Sequence, residues 1–164
     1  MKDNLETEIV IKERIKKIEE AIAELKELRK LPKEKFFSDK RLQYASMYAM
    51  IIGVEAVCDI GNHLLAKYFN RAVETYKDII LSLGECGIIP KDFSQKSAKM
   101  TDFRNILIHL YLKIDTEEVY KNLQKAPEEF TKFCRYFLKF LEKWLQHWKL
   151  RLTIQDCRFK KVGS

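Results

Sequence analysis

Hydrophobic residues recur at helical spacing from the start of the chain. Steps of four, three, four and three separate the apolar positions of the first segment, while Lys and Glu fill most of the positions between them: Ile11, Ile15, Ile18, Ile22 and Leu25. This pattern predicts a long amphipathic helix that ends near Pro32. The same spacing suits a coiled-coil seam between subunits. Packing of the helix within its own bundle is the favoured interpretation.

The second segment is apolar around most of its circumference. It follows Ser38 or Asp39, either of which can cap a helix, and it reads RLQYASMYAMIIGVEAVCDIGNHLLAKYF. Helices that are apolar on all sides are normally buried. We therefore expect this helix at the centre of the fold.

Turn and capping residues delimit the later segments. Thr75 caps a short helix that Gly87 ends, and another helix is predicted from about Asp92 to Tyr111. A further helix opens with Asp115 as its cap and an acidic first turn. We expect Pro127 to interrupt that helix and begin a new one.

The end of the chain differs from the rest in composition. KLRLTIQDCRFKKVGS is basic and loses helical periodicity, which predicts a basic C-terminal tail over residues 151–164. Only five Gly and three Pro occur in 164 residues, too few for the turns of a β-sandwich or barrel. The sequence thus predicts an all-α bundle of four to five helices in a single domain, residues 1–150.

Charge and cysteine content limit the classes of partner and compartment. The net charge of +7 permits a polyanionic partner but equally serves solubility. The N-terminus has acidic residues before any apolar stretch, so we expect neither a signal peptide nor a membrane span. Reduced thiols and a cytoplasmic location are expected from four widely spaced cysteines without a CxxC pair: Cys58, Cys86, Cys134 and Cys157.

Candidate chemistry lies in the predicted helix that ends at Tyr111. Phosphate-loop, zincin and GxSxG motifs are absent from the sequence, whereas Arg104 and His109 interrupt an otherwise apolar stretch. On one ideal helix these two side chains point about 140° apart. They can converge only if the helix end is distorted or if two copies meet across a two-fold axis, and we favour the dimer.

Arginine and histidine together can cleave RNA without a metal. Arg104 would stabilise the negative charge of a phosphorane transition state, and His109 would move the proton of the 2′-hydroxyl or of the leaving group. A plain structural interpretation competes with this one. In it, His109 is a hydrogen-bonded core histidine, Arg104 a surface ion-pair residue and Tyr111 an aromatic at the rim.

A second polar stripe occurs on the central helix. Glu55, Asp59 and His63 are each four residues apart and share one face. Di-metal bundles require Glu-x-x-His pairs on two helices, which this chain lacks, so we expect no metal and no cofactor. The stripe either faces water or orients an arginine or histidine of the later helix.

Two stretches resemble a known family. The motif RNILIHLY, followed by Ile114-Asp115 and Val119-Tyr120, and the upstream VEAVCDIGNHLL resemble the HepT-like branch of the HEPN superfamily. The resemblance extends over roughly 39–141.

The resemblance implies an all-α HEPN homodimer in which the motifs of two chains face one cleft and cleave RNA without a metal. It further implies a type VII toxin whose antitoxin, a minimal nucleotidyltransferase, adds AMP to the motif tyrosine. Carried over by position, Arg104 and His109 are catalytic, Tyr111 is the AMP acceptor, and the supporting residues are Asn105, Glu55, Asp59 and His63.

Two other functions remain open from the sequence. One is a non-catalytic HEPN module that binds a nucleotide or a nucleotidyltransferase partner. The other is a helical adaptor whose first helix pairs with another protein.

Overall fold

Helices account for the architecture of the described residues. The computed structural model describes the backbone of residues 2–159 and the side chains of residues 6–110 and 112–147. No strand occurs in this part of the chain, which confirms the all-α prediction. The helices are α1 (Lys2–Arg29), α2 (Lys33–Ser38), α3 (Lys40–Phe69), α4 (Tyr76–Glu85), α5 (Lys91–Ser97), α6 (Lys99–His109) and α7 (Thr116–Phe159), with a 3₁₀ turn at Tyr111–Lys113.

Helix α3 is the centre of the bundle, as predicted. Asp39 caps it by accepting a hydrogen bond from the Arg41 backbone N–H at 2.9 Å, and it ends at Asn70, whose φ is 49°. Helices α1, α4, α6 and α7 pack around it. Its length and hydropathy would allow it to cross a membrane, but 61% of its most apolar stretch is buried in the bundle. These properties are those of a core helix.

Helix α1 uses its apolar face within the same chain. Ile11, Ile18 and Leu25 are fully buried, Ile15 is nearly so, and the helix contacts α3 and α7. The predicted amphipathic helix is therefore confirmed. Its apolar face packs against helices of its own chain, as the favoured interpretation expected.

The predicted helix over 92–111 is divided in the structure. Helices α5 and α6 meet at Ala98, and α6 ends at His109. Hydroxyl side chains explain the break: Thr101 Oγ1 donates to the Ala98 carbonyl at 2.7 Å, and Ser94 Oγ donates to the Lys91 carbonyl at 2.9 Å. Such bonds compete with the regular helical ladder.

Helix α7 is longer than predicted and continuous. Asp115 caps it through the Glu117 backbone N–H at 2.9 Å, as expected. The predicted interruption at Pro127 is wrong, because the helix continues through this residue. Residues 151–159 of the predicted basic tail belong to this helix, while 160–164 lie outside the described residues. Burial of Phe130 and Phe137 against the bundle stabilises the helix on the C-terminal side of the proline.

Helices α3 and α7 approach closely at Gly53. A Cβ atom added there would lie 2.3 Å from Cε2 of Phe130, so the ring or the helix would have to move. We expect Gly53→Ala to lower the free energy of unfolding by about 1–3 kcal/mol, measured by urea denaturation. Asn62→Ala, at an exposed position of the same helix, is the control and should change stability by less than about 0.5 kcal/mol. Wild-type stability of Gly53→Ala would contradict this packing.

Candidate active site around Arg104

Arg104 turns its guanidinium from α6 toward α3 and α4. Its side chain is only 16% exposed, and its Nη2 donates to Oε1 of Glu55 in an ion pair. The guanidinium carbon lies 4.6 Å from the centroid of the Tyr76 ring, within the range of a cation–π contact. Three helices therefore fix the position of this one cation.

Tyr76 completes the arrangement from the first turn of α4. Its hydroxyl donates to Oε2 of Glu55 at 2.5 Å. This hydrogen bond is the main reason that the pKa of Tyr76 is raised to about 12, and partial burial adds to it. A pKa raised on folding stabilises the fold below the ordinary value near 10 and loses that contribution as the pH rises through 12. The contact is thus intact at neutral pH.

The guanidinium keeps donors for a ligand. Nη1 donates to Oδ1 of Asn105 at 3.1 Å, and Nη2 donates to Glu55. Nε is buried and has no hydrogen-bond partner among the described residues. Because each terminal nitrogen carries two N–H groups, one on each remains for a phosphate oxygen.

The side chain of His109 is exposed, in contrast to that of Arg104. This histidine is the last residue of α6, and its exposure makes the interpretation as a core histidine wrong. The helix leaves its regular path at Leu110, where φ is −120° and ψ is 41°. That distortion begins after His109 and does not turn it toward Arg104, whose contacts lie on α3 and α4. Within the described residues of one chain, no hydrogen bond or ion pair joins the two side chains.

The polar stripe of α3 is divided between two neighbouring helices. Glu55 contacts Arg104, whereas Asp59 lies 3.5 Å from the Arg14 guanidinium of α1. Nε2 of His63 lies 3.4 Å from Oγ1 of Thr7, also on α1. Glu55 is thus the residue of this stripe that the structure brings to Arg104, and His63 is two helical turns away.

Asn105 and Tyr111 are the other two residues of the motif for which the sequence predicts a role. Asn105 is exposed and accepts the Arg104 bond described above. Tyr111 begins the 3₁₀ turn two residues after His109, and its side chain lies outside the described part of the structure. Tyr76 was not singled out from the sequence, because only tertiary packing places it beside Arg104.

A groove of about 500 Å³ runs alongside the site, between α1 and α3. Glu55 and Asp59 line it from α3, and Arg14, Lys16 and Lys17 line it from α1. Glu13 and Glu20 of α1 also line it, so four carboxylates face three cations and the charge of the groove is mixed.

Comparisons with known proteins agree with this fold. The profile of a family described as "Ribonuclease HepT-like" matches residues 18–137. The chain is 28% identical over 131 residues to a "Putative RNase" of Archaeoglobus fulgidus, covering 80% of this chain and 92% of that protein. It is 22% identical over 133 residues to the tRNA nuclease HepT of Aphanizomenon flos-aquae, covering 81% and 90%.

A solved structure shares the helical arrangement. It holds a tri-AMPylated HEPN toxin of Shewanella oneidensis in complex with an MNT antitoxin. The match has a TM-score of 0.73 at 23% identity and covers 79% of this chain and 97% of that one.

Proposed function

Because this chain belongs to the HepT-like ribonuclease family, we propose that it is a metal-independent endoribonuclease of the cytoplasm and the toxin of a toxin–antitoxin pair. One observation carries the proposal: Arg104 is fixed in a half-buried pair with Glu55 and stacked on Tyr76, five residues before an exposed histidine. An arginine fixed in this way is suited to binding a phosphate, and an exposed histidine is suited to moving a proton.

The two residues divide the chemistry. The free N–H groups of Arg104 bind the scissile phosphate and stabilise the charge that develops when the 2′-oxygen attacks phosphorus. His109 takes the proton of the 2′-hydroxyl as its oxygen bonds to phosphorus, or gives a proton to the 5′-oxygen as the bond from phosphorus to that oxygen breaks. Water carries out the other proton transfer. Glu55 and Tyr76 are positioning residues, since they hold Arg104 without reaching the substrate.

A homodimer would supply the geometry that one chain lacks. Large apolar side chains are exposed beside the site: Tyr44 (63%) and Tyr48 (67%) on α3, and Leu112 (87%) after α6. Exposed apolar groups of this size commonly mark an interface. A second copy seated here would cover them and bring its own His109 to the Arg104 of the first chain.

The proposed partner is a minimal nucleotidyltransferase antitoxin that transfers AMP to Tyr111. The solved HEPN toxin similar to this chain is tri-AMPylated and bound to an MNT antitoxin, which supports the proposal. Each AMP would add bulk and negative phosphate two residues from His109. Like-charge repulsion and steric exclusion would then keep RNA phosphate out of the cleft.

An RNA-cleavage assay in the presence of EDTA tests the proposed activity. We expect the wild-type protein to cut RNA and His109→Ala to cut at least a hundredfold more slowly, because general acid–base catalysis contributes roughly 10²–10⁴-fold. His147→Ala, which removes another exposed histidine, is the matched control and should retain full activity. Equal cleavage by wild type and His109→Ala would refute the assignment of this residue.

One observation favours a second candidate, a non-catalytic binding module. The charge of Arg104 is already balanced by Glu55, an arrangement that also suits recognition of a partner. Intact-mass measurement decides between the two functions. Wild-type protein that carries no AMP and still leaves RNA uncut, while binding the nucleotidyltransferase, would establish the module.

A further inference from the structure

Helix α7 carries a line of cations on the face opposite the core. The buried residues Leu123, Phe130 and Phe137 define the core face of this helix. Six exposed cations at spacings of four, seven, three, four and four residues lie within about 80° on the other side. We call them the α7 basic stripe: Lys121, Lys125, Lys132, Arg135, Lys139 and Lys143.

Within the described part of the chain, the six cations of the stripe have no close ion-pair partner, and one partly buried carboxylate, Glu129, attracts Lys125 and Lys132. None of the six cations takes part in the ion pairs formed among the described residues. The one acidic residue within the stripe, Glu128, is paired with Arg29 of α1 at 2.7 Å. The stripe therefore presents positive charge along about 33 Å of helix, at 1.5 Å per residue.

The exposed lysines of helix α1 differ from the stripe in their ion pairing. Two of them form ion pairs along the helix, Lys12 with Glu8 at 2.7 Å and Lys17 with Glu20 at 2.8 Å. Lys30 is likewise bound to Glu27 at 2.6 Å. Two long helices of one chain thus differ in how their surface charge is arranged.

The stripe begins shortly after the candidate active site along the chain. The short connection over 110–115 separates His109 from the start of α7, and Lys121 follows in the second turn of that helix. Further along, the stripe borders a groove of about 380 Å³, lined by Lys91, Tyr136, Lys139, Phe140 and Lys143. Aromatic walls with lysines at the rim are suited to nucleotides, whose bases stack and whose phosphates are anionic.

We propose that the α7 basic stripe is the surface along which RNA binds, leading the strand from the groove at Lys139 and Lys143 to the cleft at His109. The proposal rests on the proposed ribonuclease function and adds to it the path of the substrate. Contacts of this kind recognise the phosphate backbone and not the base sequence. Affinity should then depend steeply on salt.

The test is designed to read binding separately from cleavage. The probe is a fluorescent single-stranded RNA of about 20 nucleotides that carries 2′-O-methyl groups and so has no 2′-hydroxyl nucleophile. Its binding to the wild-type chain is compared by fluorescence anisotropy with binding to the triple variant Lys125→Gln, Lys139→Gln, Lys143→Gln. Glutamine keeps the helix propensity close to that of lysine.

We expect the triple variant to bind the probe at least tenfold more weakly in about 0.1 M salt. The slope of log affinity against log salt should fall in magnitude by about 2, because each lost phosphate contact in a single strand contributes about 0.7. The matched control is Lys12→Gln, Lys26→Gln, Lys30→Gln, which changes the net charge equally at exposed positions of α1 and the residue after it. It should bind the probe as the wild type does.

Each outcome decides the proposal. Equal affinity and slope for the triple variant and the wild type would overturn it, as would an equal loss in the two triple variants, which would show an effect of net charge alone. Weaker binding of the nucleotidyltransferase with unchanged probe binding would assign the stripe to that protein and also overturn it. If the triple variant binds the probe more weakly but the wild-type chain leaves unmodified RNA uncut, the α7 basic stripe is upheld as an RNA-binding surface and the proposed ribonuclease function is refuted.

Discussion

Arg104→Ala is expected to reduce RNA cleavage by roughly a thousandfold or more. Removing one preorganised donor to a transition-state oxyanion costs about 10²–10³-fold. Here the substitution does further damage, because Glu55 would be left half-buried without its cation. That carboxylate would then repel the phosphate that Arg104 is proposed to bind.

The two parts of this effect can be separated. Glu55→Gln combined with Arg104→Ala removes the repelling carboxylate, and we expect cleavage by the double variant to exceed that of Arg104→Ala alone. Arg29→Ala is the matched control, since it breaks another interhelical pair, with Glu128, away from the site. Initial cleavage rates and circular dichroism are measured for all three variants. A folded Arg104→Ala protein within tenfold of wild type would show that this arginine is dispensable.

Tyr111→Phe is expected to abolish AMP transfer by the nucleotidyltransferase partner while leaving RNA cleavage intact. The phenolic oxygen is the nucleophile that attacks the α-phosphorus of ATP and releases pyrophosphate, and phenylalanine has no such oxygen. Intact-mass spectrometry after incubation with the partner and ATP gives the number of AMP groups.

Tyr120→Phe, at a partly exposed tyrosine of α7, serves as the control for AMP transfer and should be modified like the wild type. Cleavage by Tyr111→Phe should then persist in the presence of the partner and ATP, because inhibition by modification is lost. Continued AMP uptake by this variant would place the acceptor elsewhere.

Local signals in the sequence predicted most helix boundaries correctly. Asp39 and Thr75 accept capping hydrogen bonds from backbone N–H groups at the starts of α3 and α4, and Gly87 has a φ of 70° after the end of α4. These features depend on residues within one turn of each other, so the sequence contains them. Pro127 shows the limit of such signals, because long-range burial of α7 outweighs the loss of one N–H donor.

The sequence names candidate site residues but does not contain their contacts. Glu55 and Asp59 have the same chemistry and share one face of α3, yet one faces Arg104 and the other Arg14. Which of them contacts Arg104, the proposed catalytic arginine, depends on where α6 and α1 pack. The role of Tyr76 depends likewise on the packing of α4 against α3 and α6.

The length of α7 has a consequence for how the assembly state is to be determined. At 1.5 Å per residue, a continuous helix of 44 residues is about 66 Å long, whereas a compact 164-residue chain has a radius of gyration of roughly 15 Å. A particle with such a rod diffuses more slowly than a sphere of equal mass and elutes early in gel filtration. A monomer would then resemble a dimer by elution volume, so the stoichiometry has to come from light scattering or sedimentation equilibrium.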